Sequence, residues 1–325
     1  MNARRIWVQI HLWLGLTLGV LGIAIGLSGS LLLYDDALDH WLNPQRYEIS
    51  GPQVALGLRE YAARVTQGRV VSLRLPEAEG PIVAIARDGS QFHRVWIDPP
   101  TGRVLDAAVG GGFFGWLHRF HENLALREYA GREIVGAVGI AMLVSSLSGL
   151  YLWWPRGRLR DSLRMRPGLA TSRNLHYLLG FYGSLLLALL SFTGIWLAYV
   201  DAGRSVVAAF APVSPRAAAP QGTLRVNLTE AGKPVTLFVD PASGSVVRRL
   251  DSSSRASGDR FLALQRELHE GRSFGPLRFL LFLAGLLPAV LAVTGAMMWW
   301  RQRRARASPS PQPVPGEPYR APSSQ

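Results

Sequence analysis

Four stretches of this chain carry no Asp, Glu, Lys or Arg: 29 residues between Arg5 and Asp35, 22 from Ile134 to Pro155, 27 from Asn174 to Val200, and 22 from Phe279 to Trp300. A helix of about 20 apolar residues crosses a ~30 Å hydrocarbon layer, and in lipid the backbone must satisfy its own N–H and C=O groups. Core helices of soluble proteins rarely stay uncharged over such lengths. The chain therefore reads as a mainly α membrane protein built on a four-helix bundle. The first stretch exceeds the ~7–15-residue apolar core of a secretory signal, and no A-x-A-like site follows it, so it reads as an uncleaved span.

The expected order is an N-terminus and first span over 1–36, an external segment over 37–131, and a second span over 132–155. A short loop over 156–173, a third span over 174–200, a second external segment over 201–274, a fourth span over 275–300 and a tail over 301–325 complete it. From Ser308 onward the tail alternates Pro with Ser, Gln and Gly and is expected to be disordered.

The formal charge is +13, which in a soluble chain would point to nucleic acid or an anionic surface. Here 13 of the basic residues, against 2 acids, lie on the side holding both termini and residues 156–173. The other side holds 22 basic and 20 acidic residues. The positive-inside rule turns this excess into an orientation signal: the termini are expected in the cytoplasm, and nucleic acid drops out as a partner. Trp153, Trp154, Trp299 and Trp300 then read as an aromatic belt at that interface, with electron relay as the minority reading. Cysteine is absent, which excludes disulfides, thiolate metal sites and iron–sulfur ligation.

The two halves repeat each other. His11 aligns with His176, Gly15 with Gly180, Ser28-Gly29 with Thr193-Gly194, Tyr34 with Tyr199, and Asp36 with Asp201, without a gap. Further on, Ser148-Gly149 aligns with Thr294-Gly295, Trp153-Trp154 with Trp299-Trp300, and His121-Glu122 with His269-Glu270. Ile97-Asp98-Pro99 through Val104 echoes Val239-Asp240-Pro241 through Val246, each a hairpin turn between strands. Both halves start on the same side, so they are parallel repeats about an axis along the membrane normal. The Ser/Thr-Gly pair in each span lets a neighbouring backbone or a flat cofactor approach closely, and helix packing explains it equally well.

That axis brings His11 toward His176 at one face of the membrane and His121 toward His269 at the other. Opposed imidazoles on facing helices are what iron in a heme needs on its two axial sides. Zinc held by His118, His121 and His269 is the competing reading, and His118 is also a substitute for His121. His40 and His93 lie in the external segment without counterparts and are expected at the surface. Residues 52–67 have helical spacing, and Val70–Leu75, Ile82–Arg87, Phe92–Ile97, Arg103–Leu105, Leu224–Leu228, Val235–Val239 and Val246–Leu250 read as strands. Phe261–His269 reads as a short amphipathic helix. There is no catalytic triad, P-loop or dinucleotide fingerprint, so electrons must come from a partner or a membrane quinol.

The stretches Leu117-His118-Arg119-Phe120-His121-Glu122-Asn123-Leu124, Ser148-Gly149 through Trp154-Pro155, Asn174-Leu175-His176, Leu268-His269-Glu270-Gly271 and Thr294-Gly295 through Arg301 together resemble the PepSY-associated transmembrane family. This is the bacterial iron-regulated membrane protein group that includes ferric-siderophore reductases. Residues 52–107 are similar to the PepSY element itself. The resemblance implies a four-span protein of the bacterial inner membrane with small α+β periplasmic PepSY-like elements. It implies two b hemes, the inner held by His11 and His176 and the outer by His121 and His269, delivering electrons to a periplasmic ferric chelate. Other members imply a different class of function, a non-enzymatic PepSY sensor or protease-modulating protein.

Overall fold

A computed structural model describes residues 2–76, 79–154, 165, 170–215, 218–251, 255–271 and 275–307. The expected tail from Ser308 and most of the 156–173 loop lie outside the described residues. Four helices are long and apolar enough to cross a membrane: α1 (Ala3–Leu32), α5 (Gly131–Trp153), α6 (Thr171–Ala198) and α9 (Gly275–Ala307), with mean hydropathies of 2.0, 1.9, 1.9 and 2.3 over their most apolar windows. Between α1 and α5 come α2 (Asp35–Leu42), α3 (Leu58–Ala63), strands β1 (Arg69–Arg74), β2 (Ile82–Asp88), β3 (Gln91–Ile97) and β4 (Val104–Val109), and α4 (Gly112–Asn123). Between α6 and α9 come α7 (Val200–Ala208), β5 (Leu224–Glu230), β6 (Lys233–Val239), β7 (Val246–Leu250) and α8 (Ser257–Glu270).

The bundle is packed the opposite way from a soluble core. Most of its buried positions are small or polar, among them Gly22, Ser28, Ser30, Ser148, Ser184, Ser191, Thr193, Gly285 and Thr294, with Val138, Leu187 and Leu281 as larger apolar exceptions. Its large apolar side chains, such as Val20, Leu147, Leu185 and Val293, stand exposed, as lipid-facing residues must. Only 6% of the apolar window of α1 is buried, so lipid is the solvent for most of that helix. Small residues set the helix spacing: a Cβ at Gly26 would run into the Gly285 carbonyl oxygen, and Ser30 Oγ donates to the Phe282 carbonyl at 2.8 Å. On the opposite side of the bundle, Gly139 on α5 lies against Ile195 on α6. Pro288 interrupts the hydrogen-bond ladder of α9, the expected place for a helix to open or bend.

Both external segments merge into one seven-stranded sheet, in the order β4-β3-β2-β1-β5-β6-β7. The seam is the pairing of β1 with β5, Ser72 to Arg225, Leu73 to Val226 and Arg74 to Asn227, which is parallel where the other pairs are antiparallel. The expected strands all form, and the two Asp-Pro turns join β3 to β4 and β6 to β7. Asp98 is buried and accepts from Ser50 N–H and the Ser50 and Thr101 hydroxyls, which fixes the first turn. The expected helix over 52–67 shrinks to α3. Pro52 and Gly57 delay its start until Glu60 can reach back to the Gly57 N–H at 3.0 Å, and Gly68 at φ 78° starts the run into β1. One sheet face packs Leu73, Ile82, Ala84, Val95, Ile97, Val226 and Val239 against Tyr61 of α3.

The other face carries the link to the bundle. Arg46, in the 3-10 turn Pro44–Tyr47, is 7% exposed and lies between Asp39 of α2 and Asp106 of β4, 2.6 Å from each, under the Trp96 ring at 4.0 Å. Because α2 follows α1 almost directly, this triad ties the sheet to the end of the first span. Removing the guanidinium leaves two poorly solvated carboxylates facing each other. Arg46→Ala is expected to cost about 3 kcal/mol of stability, read as a lowered thermal midpoint of the purified protein, while Asp106→Asn costs less.

Candidate functional site

The bundle brings the four repeat-related histidines together in two pairs. His11 of α1 and His176 of α6 have ring centroids 6.2 Å apart with planes at 88°. His121 of α4 and His269 of α8 have centroids 6.1 Å apart with planes at 45°. Two imidazoles bonding one metal ion from opposite sides at ~2 Å each place their centroids about 6 Å apart. Both pairs meet that spacing.

Each imidazole is seated on a Ser/Thr-Gly pair of a span in its own half of the chain. The Nδ1 of His11 lies 3.1 Å from both Ser148 Oγ and the Ser145 carbonyl. That of His121 lies 3.2 Å from Ser28 Oγ and 3.0 Å from the Ile25 carbonyl. His176 Nδ1 meets Thr294 Oγ1 at 3.0 Å and His269 Nδ1 meets Thr193 Oγ1 at 2.9 Å. The adjoining glycine makes room for the ring: a Cβ at Gly29 would sit 2.7 Å from His121 Cε1, and one at Gly149 3.1 Å from His11 Cε1. At Gly194 and Gly295 the corresponding distance to His269 and His176 is 3.3 Å. The sequence reading allowed a neighbouring backbone or a flat cofactor against these pairs; what the structure places against each of them is a histidine ring. With Nδ1 engaged, Nε2 is the nitrogen left to bind a metal.

His11 and Gly29, and likewise His176 and Gly194, are eighteen residues apart on one helix. At ~1.5 Å per residue the two pairs stand about 27 Å apart along the bundle. The first pair lines a cavity of about 810 Å³ bounded by all four spans, within the range of sites for organic ligands. Gly15, Gly19, Gly180 and Ala292 keep its walls thin, Leu187 and Leu291 make them apolar, and Arg4 and Gln302 lie in its lining toward the termini. Trp153, Trp154 and Trp299 also line it, Trp153 stacked on Phe181 at 3.8 Å, and Trp154 and Trp300 are largely exposed. Of the four indoles expected as a belt, three thus border the cavity.

His118 does not join either pair. It lies 3.4 Å from Glu122, whose hydrogen bond holds its pKa above the ordinary value. Among the described residues no three His, Asp or Glu side chains converge as a metal site, so the zinc set of His118, His121 and His269 is not assembled. His40 stacks on Tyr47 and His93 pairs with Val109 in the sheet, both apart from the histidine pairs.

Four helices long and apolar enough to cross a membrane, two facing imidazole pairs and a separate mixed sheet define a multi-pass membrane protein. The chain belongs to the PepSY-associated TM region family, whose model matches residues 8–302. Among curated proteins, none matches the chain.

Burial pushes His121 below its ordinary pKa and, together with the nearby His121, pushes His269 down to about 3. Both are therefore neutral in the folded protein and protonate near pH 6.5 once unfolded. The unfolded chain binds more protons below that value, so the stability that depends on these neutral rings is complete above pH ~6.5 and is lost as pH falls toward the folded values. The thermal midpoint is expected to fall between pH 7 and pH 5, and to fall less steeply in a His121→Gln/His269→Gln double variant.

Proposed function

We propose that this chain is a di-heme electron-transfer protein of the bacterial inner membrane that reduces a ferric chelate, such as a ferric siderophore, on the periplasmic side. The observation that carries this reading is the pair of imidazole pairs, each spaced for one iron and stacked along one bundle. His11 and His176 would hold the inner heme, and His121 and His269 the outer. The lack of cysteine leaves no thioether attachment, which points to heme b. Bound there, heme would supply one-electron exchange between ferric and ferrous iron.

The chain's own residues provide the rest. The glycines of α1, α6 and α9 that line the cavity, with Pro288 beside them, leave room for a flat macrocycle between the spans. Arg4 and Gln302, at the terminal end of the cavity, offer the polar partners that carboxylates of such a group require. The leucines keep water out. The arginine bias supports placing the termini and the inner pair in the cytoplasm-facing half, where a cytoplasmic reductant or a membrane quinol would deliver electrons. The outer pair then lies under the sheet, whose residues 52–107 we take as a PepSY-like element. The mirrored strand order on either side of β1, three strands each way, favours two parallel repeats. Reduction of the chelated Fe(III) by one electron gives Fe(II), which oxygen chelators hold less tightly.

An absorption spectrum of the purified full chain tests this. The expected result is low-spin heme bands at two hemes per chain, with His176→Ala and His269→Ala each losing one, and reoxidation of the reduced protein by a ferric chelate. A colourless protein, or bands unaffected by both substitutions, overturns the reading. A colourless protein that binds a protease or peptide through residues 52–107 would instead favour the PepSY sensor.

A further inference from the structure

The hydroxyl beside each histidine has its own hydrogen committed elsewhere. Ser28 Oγ donates to the Ile25 carbonyl at 3.0 Å and Ser148 Oγ to the Ser145 carbonyl at 3.0 Å. Thr193 Oγ1 donates to the Leu189 carbonyl at 2.8 Å and Thr294 Oγ1 to the Val290 carbonyl at 2.7 Å. A hydroxyl has one hydrogen, so each of these oxygens turns a lone pair toward the imidazole. At His11 and His121 the second atom at Nδ1 is a backbone carbonyl, of Ser145 and Ile25, which only accepts. Two acceptors converge on each of these Nδ1 atoms and a hydroxyl acceptor faces the Nδ1 of His176 and of His269, so an imidazole without its proton there would face lone pairs only.

We propose that Ser28, Ser148, Thr193 and Thr294 are positioning residues that fix the Nδ1–H tautomer and so leave each Nε2 lone pair free to bind iron. This rests on the reading of the four histidines as axial ligands. A neutral imidazole carries a single N–H, and the two tautomers differ little in energy in water. An Nε2–H ring cannot ligate through Nε2. The helix hydroxyl therefore selects the binding form before any cofactor arrives, and afterward it draws on the Nδ1–H, making Nε2 a stronger donor that favours ferric iron. The arrangement recurs at all four sites, in two helix pairings of each half, with Ser in the first half and Thr in the second. Each pair thus has one ligand seated on Ser and one on Thr, whose branched Cβ also restricts the hydroxyl rotamer. The neighbouring glycines serve the same contact by letting the ring reach its hydroxyl.

Thr294→Val is the informative substitution, because it keeps the shape and removes only the hydroxyl. Nitrogen-15 NMR of histidine-labelled full chain in lipid should show the Nδ1–H form at His176 in the wild type and a mixture in the variant. In the heme-loaded protein, the variant should hold the inner heme about 10–100-fold more weakly and show a raised midpoint potential for that heme alone. Ser148→Ala should do the same through His11, and Thr294→Ser should restore wild-type behaviour. Unchanged tautomer and potential in Thr294→Val, or a Thr294→Ser variant as impaired as Thr294→Val, overturns the proposal. If the protein purifies colourless, the electron-transfer reading falls, and the NMR measurement alone decides whether the hydroxyls set the tautomer.

Discussion

A bilayer offers no water to satisfy a buried polar group and no hydrophobic gain for pressing one apolar helix against another. Polar atoms inside this bundle must therefore look to the chain for partners, and among the described residues Trp153 Nε1 and Ser172 Oγ are buried without one. The Ser and Thr hydroxyls solve this for themselves by bonding back to their own helix and for the histidines by accepting their Nδ1 hydrogens. Packing and site chemistry are consequently one set of contacts. The small residues that let α1 meet α9 and α5 meet α6 are interleaved with those that seat the imidazoles, so the spacing of the spans also sets the spacing of the pairs.

The external sheet obeys ordinary aqueous physics. Alternating apolar residues bury one face against Tyr61 and α3, and the opposite face carries charge. Arg46 joins the two regimes. Held by Asp39 and Asp106 beneath Trp96, it fixes the sheet to a helix that continues from the first span. The parallel seam between β1 and β5 closes the other side of the connection, since it hydrogen-bonds strands from the two external segments. The sheet thereby tethers the outer ends of the two halves whose histidines must face each other.

Much of this was legible in the residue order. Charge-free runs long enough to span a membrane have few other stable fates, and each coincides with one of the four helices long and apolar enough to cross one. Period-two alternation and Asp-Pro turns located the strands of both segments. The helix over 52–67 was overestimated because its spacing is helical while Pro52 and Gly57 forbid an early start. The fusion of two segments into one sheet was invisible, since parallel pairing between distant strands leaves no local trace. The same holds for Arg46, which in sequence is one arginine among many.

The sequence by itself determined the span count, the charge asymmetry and the internal correspondence that singles out His11, His121, His176 and His269, because these depend on composition and periodicity along the chain. Only the tertiary structure decided that His121 rather than His118 faces His269, that both pairs share a spacing near 6 Å, and that the Ser/Thr-Gly pairs seat imidazoles. A Ser-Gly in a span serves helix packing and ligand orientation equally well. Which it does depends on what lies a few ångströms away on another helix, and that is a property of the assembled bundle.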